Sequence, residues 1–145
     1  MKAFAFGLQK VLNLRQFHED EAKIELGRAV GILTELESRL YSLGEERARA
    51  AAEQFSPQNN AAMIQQYMFY LLRLDYTKEQ LLRETAMAEL KVEEARDAFI
   101  EASRERKVLD NLKEKRRKEY HKEMLLEETK VLDDVSSNLS SNYTN

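Results

Sequence analysis

The sequence holds no cysteine and no tryptophan, and only one proline and four glycines among 145 residues. Without cysteine there is no disulfide, no thiolate metal site and no cysteine nucleophile, a state that fits a reducing compartment. No glycine-rich phosphate loop is present. Gly27 and Gly31 fall inside a helical pattern, where each costs about 1 kcal/mol relative to alanine, and they mark either a flexible spot or a close approach of another chain. Long apolar runs are also missing. Nothing approaches the roughly 18 residues of a membrane span, and the apolar opening Met1–Leu8 is too short for a signal peptide before Gln9-Lys10 ends it. The two histidines, His18 and His121, stand apart with no second ligand at metal spacing. A net charge of −3 argues against nonspecific binding to nucleic acid. These absences predict a soluble cytoplasmic protein with no cofactor, no metal, no catalytic residues and no direct membrane insertion.

What is present is charge, at 34% of residues, and one repeated pattern. Stepping alternately four and three residues from Leu8 gives Leu12, Arg15, Glu19, Ala22, Leu26, Ala29, Leu33, Leu36, Leu40 and Leu43. Past Pro57, steps of three and four from Ile64 give Tyr67, Leu71, Leu74, Lys78, Leu81, Thr85, Ala88, Val92, Ala95, Phe99, Ala102, Arg106 and Leu109. Nine of the first eleven and eleven of the second fourteen positions are apolar, which makes each ladder a seam rather than a coincidence. A mean spacing of 3.5 residues keeps a stripe facing a partner helix along a left-handed supercoil. The fold expected is all-α: a long two-helix antiparallel coiled-coil hairpin with the second helix overhanging the first. Its helices are placed at about 3–54 and 60–135, its turn at 55–60, and a disordered tail at 136–145.

If the chain reverses at 56–59, facing residues have numbers adding to about 115, so Leu33 meets Leu81, Leu26 meets Ala88 and Leu12 meets Ala102. Residue 4 then meets position 111, and the second helix continues unpaired for some 35 Å. The ladder fails there too, passing through Lys113, Arg116, Tyr120, Glu123, Glu127 and Lys130. The basic run Lys113, Lys115, Arg116, Arg117, Lys118 and Lys122 is thereby placed on the free arm, ahead of Glu123, Glu127, Glu128, Asp133 and Asp134. A two-stranded seam uses two positions in seven, and two off-seam apolar groups exceed it. Phe4, Phe6, Val11, Leu14 and Phe17 gather at the termini, and Met63, Met68, Phe69, Tyr70, Leu72 and Tyr76 beside the turn. Sticky ends with a polar middle, from Thr77 to Glu101, describe a bridge between two partners. The bland alternatives are ends that fold back or dimerise, and a basic run that is only a solvated face.

Three segments resemble the FliJ family. Phe4-Ala5-Phe6-Gly7-Leu8-Gln9-Lys10-Val11-Leu12-Asn13-Leu14-Arg15 is similar to its N-terminal opening, and Tyr67 through Leu74 to the segment that follows its turn. Val108 to Tyr120 and Glu127 to Val135 resemble its C-terminal run. The resemblance implies a soluble component of flagellar type III protein export, similar in shape to the central shaft of rotary ATP synthases. It implies docking in the ring of the flagellar export ATPase (FliI type), contact with the export gate protein (FlhA type), and handling of export chaperones, at the cytoplasmic face of the export apparatus. By motif match, gate binding falls to Tyr67, Tyr70 and Leu74, with first-helix counterparts near Leu40 and Arg47. Tyr70 stands where the family often has phenylalanine. Ring binding is expected of Phe4, Phe6, Leu8, Lys113, Arg116, Arg117 and Lys118. The alternative is a nucleic-acid-binding or generic scaffold coiled coil.

Overall fold

The computed structural model describes residues 2–143, and two helices account for nearly all of them: α1, Gln9–Glu53, and α2, Ala61–Asn142. They pack against each other as an antiparallel hairpin, with no strand among the described residues. The 3.5-residue ladder is the reason. Every ladder residue from Leu8 to Leu43 is buried or half-buried, and between Ile64 and Leu109 only Lys78 is exposed. The steps of four and three continue through Arg47 and Ala50 on α1 to Gln54 just past its end, the last two buried.

Helix ends follow local chemistry rather than the ladder. α1 begins at Gln9, not near residue 3: the Leu8 carbonyl accepts the first helical bond from Leu12 N–H, while residues 2–6 are not helical. Two consecutive asparagines divide the turn between them. Asn59 Nδ2 donates to the carbonyls of Glu53 at 2.8 Å and Gln54 at 3.1 Å, satisfying the open end of α1. The Asn60 side chain accepts from Met63 N–H at 2.9 Å and caps the start of α2. At its other end α2 runs past Val135 to Asn142, through residues expected to form an unstructured tail. No proline or glycine interrupts Ser136–Asn142, and a helix already formed extends at one bond per added residue.

By contact the chain divides into a turn-proximal unit, residues 20–100, and a terminal unit, residues 2–19 with 101–143. The turn-proximal unit buries Leu36, Ala50, Leu74, Ala88 and Val92, together with Thr85, whose hydroxyl donates back to the Leu81 carbonyl at 2.7 Å. The terminal unit buries Leu12 to 1% exposure and Phe6 to 8%. Its seam carries the ladder's polar members Arg15, Glu19 and Arg106. Arg106 donates to Glu19 and Asp110, and Arg15 donates to Glu105.

The expected register is overturned in both units. Glu19 meets Arg106 and Arg15 meets Glu105 in one unit, and Arg47 meets Asp75 in the other. Facing ladder positions therefore have numbers adding to about 121, one heptad beyond the expected sum. That register brings Leu33 toward Ala88 rather than Leu81 and Leu12 toward Leu109 rather than Ala102, and Leu36 and Ala88 line one shallow concavity. An apolar ladder repeats every seven residues and cannot tell registers one heptad apart; its polar members can. In the shorter register Glu19 would face Ala95, about 16 Å along the axis from Arg106. In the observed one, five half-buried charges at the seam, Arg15, Glu105, Glu19, Arg106 and Asp110, find partners. The shift also fixes where pairing stops: residues 2–6 reach Tyr120, and every described residue of α2 from Leu125 onward is exposed.

Candidate docking surfaces

The first surface belongs to the turn-proximal unit. Phe69, Leu72 and Tyr76 recur at three and four residues on α2, and Met68 precedes them on the same face, where the ladder has no use for them. They are 53–63% exposed, with Met63 at 44% and Phe55, from the turn, at 72%. Asn59, Met63, Gln66, Tyr67, Phe69, Tyr70 and Arg73 line a shallow concavity there. Of the residues expected to bind the gate, Leu74 is buried at 7% exposure in the seam and is closed to a partner. Tyr67 and Tyr70 are half-buried and tied to α1. The Tyr70 hydroxyl donates to Glu46, and that of Tyr67 reaches Glu53 at 3.4 Å.

The Glu46 carboxylate, by accepting a hydrogen bond from the Tyr70 hydroxyl, raises that phenol above its ordinary range, with burial adding to the effect. Arg73 lies over the Tyr70 ring at 5.9 Å. Arg47 donates from Nε to Asp75 Oδ1 at 2.6 Å, which holds the Asp75 carboxyl below its usual value and raises the guanidinium. Leu40 is half-buried on the ladder. The accessible face is therefore Met68, Phe69, Leu72 and Tyr76, while the tyrosines beside it hold the two helices together.

The second surface belongs to the terminal unit. Residues 2–6 lie along α2 as a non-helical strap. The Phe4 ring meets Tyr120 at 5.6 Å, and the Phe6 ring sits under the Arg116 guanidinium at 5.7 Å. The Tyr120 hydroxyl donates to the Lys2 carbonyl at 2.6 Å. Two residues apart, Phe4 and Phe6 share a side only in extended chain; a helix would turn them about 200° from each other. Arg116 and Tyr120, four apart, share a helix face. A period of two is thus laid on a period of four. Phe-x-Phe was the signal of the strap, and a helix started at residue 3 overlooks it.

The ring-binding candidates separate accordingly. Phe6 is buried, Phe4, Leu8 and Lys113 are half-buried, and Arg116, Arg117 and Lys118 are exposed. The basic run is not on a free arm but flanks the strap: Phe4, Glu114, Arg117, Lys118, Tyr120, His121 and Lys122 line one groove. Beyond it Tyr120, Met124, Glu127, Glu128, Val131 and Leu132 line another. Val11, Leu14 and Phe17 on α1 are exposed. The middle is less polar than expected, since Ile32, Met87 and Leu90 are also exposed.

Among the described residues, no cluster of three His, Asp or Glu side chains could hold a metal ion and no helix is long and apolar enough to cross a membrane. The chain matches the family model described as "Flagellar FliJ protein" over residues 4–144. No curated protein and no solved structure matches it.

Proposed function

Because the chain belongs to the flagellar FliJ family, a family associated with flagellar export, we propose that it is a non-catalytic stalk that docks in the export ATPase ring and links it to the membrane export gate. The observation that carries this reading is the exposed apolar surface in each unit beyond what a two-stranded seam can bury. On the terminal unit, Phe4 of the strap and the neighbouring Leu8 supply apolar contact to the ring's inner wall, while the buried Phe6 anchors the strap beneath Arg116. Lys113, Arg116, Arg117 and Lys118 around it face acidic loops of the ring, steering association. On the turn-proximal unit, Phe69, Leu72 and Tyr76 form the gate-facing stripe, bounded by Tyr67 and Tyr70, while Leu74 supports it from the seam. Export chaperones are the third partner class in this reading, and the protein works at the cytoplasmic face of the export apparatus.

Steady-state ATP hydrolysis by the native export ATPase tests the ring contact, and pull-down of the gate's cytoplasmic part tests the other. Deleting residues 1–8 abolishes stimulation while gate binding persists. Phe69→Ala does the reverse. Loss of both activities in both variants, or of neither, contradicts the assignment.

A further inference from the structure

Ion pairs of the terminal unit gather before residue 111: Arg15 with Glu105, Arg106 with Glu19 and Asp110, and Arg104 with Glu101. Farther along, Arg117, Lys118, Lys122, Glu127, Glu128, Asp133 and Asp134 make no ion pair among the described residues, although the helix carrying them is continuous. Their order along it is biased: Arg117, Lys118 and Lys122 come first and Glu123, Glu127, Glu128, Asp133 and Asp134 follow, with Glu119 and Lys130 as the single exception on each side.

The two grooves follow that division. One has Phe4 and Tyr120 as its apolar floor and Arg117, Lys118 and Lys122 on its rim, with Glu114 and His121 also lining it. The next has Tyr120, Met124, Val131 and Leu132 as floor and Glu127 and Glu128 on its rim. Tyr120 belongs to both, so the grooves are neighbours on one helix. Met124 is half-buried, while Val131 is 60% and Leu132 69% exposed, with Val135 and Leu139 continuing the apolar side chains toward Asn142.

A helix that is basic on one side of a point and acidic on the other complements itself under a half-turn about that point. We propose that a second copy of this chain occupies these grooves, antiparallel, about a two-fold axis near Tyr120 and Met124. Glu127 and Glu128 of each copy then face Arg117 and Lys118 of the other, and the exposed Val131 and Leu132 of each cover the apolar floor beside the other's Phe4. The contact is isologous, so two copies close and no filament grows. It also uses the cations offered above to the ATPase ring, which makes the dimer a form that must separate before the ring is entered. The inference itself rests on the groove and charge pattern and holds whether or not the ring is the partner.

Sedimentation equilibrium of the full chain at several concentrations and two salt levels measures it without any other protein. The expected result is a monomer–dimer equilibrium that weakens as salt rises, since the rim charges are exposed. The variants R117E/K118E and E127K/E128K each become monomeric, roughly tenfold or more weaker in self-association, with unchanged helicity by circular dichroism. An equimolar mixture of the two restores the dimer, because the reversed charges complement each other. A monomer at all concentrations, dimers indifferent to both reversals, or a mixture that stays monomeric overturns the proposal.

Discussion

At the scale of single residues, exposure separates side chains that hold the hairpin from those free to bind. Leu12, at 1% exposure, fills the seam completely, and Leu12→Ala costs about 2–4 kcal/mol by the transfer and cavity terms for a buried leucine. Chemical denaturation of the variant measures this, and Leu132→Ala, on an exposed position, serves as the contrast with a change near zero. The Arg47–Asp75 pair supplies a pH signature. Asp75 is held below its usual value by Arg47, so the pair contributes above the ordinary aspartate range and is lost as pH falls through the depressed value. The melting difference between the native chain and Asp75→Asn therefore narrows in acid and is unchanged from neutral pH upward into the alkaline range. Tyr70 has the opposite sign. Its proton is held by Glu46, so that contribution is present below the ordinary tyrosine range and fades as pH rises through the raised value. For this reason Phe69, which is 60% exposed and has no such bond, is a cleaner probe of partner binding than Tyr70.

At the scale of elements, the sequence is legible where a period is long and opaque where chemistry is local. The ladders from Leu8 to Leu43 and from Ile64 to Leu109 are legible, and the structure buries or half-buries all their members except Lys78, while the first runs on through Arg47, Ala50 and Gln54. The helix start at Gln9 is not legible, because it depends on a six-residue stretch in which Phe-x-Phe competes with the helical period. The caps were overlooked too, although Asn59-Asn60 after the lone proline is a chemical signal for both ends. Removing them tests their role: Asn60→Ala costs about 1 kcal/mol as the loss of an N-cap. Asn59→Ala uncaps the last carbonyls of α1 and speeds amide exchange in residues 50–54 more than in the first turns of α2. Hydrogen exchange resolved by residue distinguishes the two.

At the scale of the whole molecule, what the ladder could not decide was register. Apolar rungs are interchangeable every seven residues, so reversal at the proline favours the tighter pairing, and the charged pairs Arg15–Glu105, Glu19–Arg106 and Arg47–Asp75 select the observed one. A short thiol crosslinker joins cysteines placed at Leu33 and Ala88 within one chain and leaves Leu33 with Leu81 unjoined. The surfaces were partly legible in the same way. Surplus apolar residues beside the turn were visible as such, whereas Leu74 looked available because its motif position, not its burial, recommended it. The basic run was placed on a free arm by the wrong register and instead flanks the strap.

The most direct test of a stalk that joins two machines is the rate of ATP hydrolysis by the native export ATPase, titrated with the full chain and with a chain lacking residues 1–8. The full chain raises the rate to a plateau, and the shortened chain, with its helix content and its binding to the export gate intact, leaves the rate at its basal value. Equal stimulation by both chains contradicts the assignment of the strap and its basic flank to the ring.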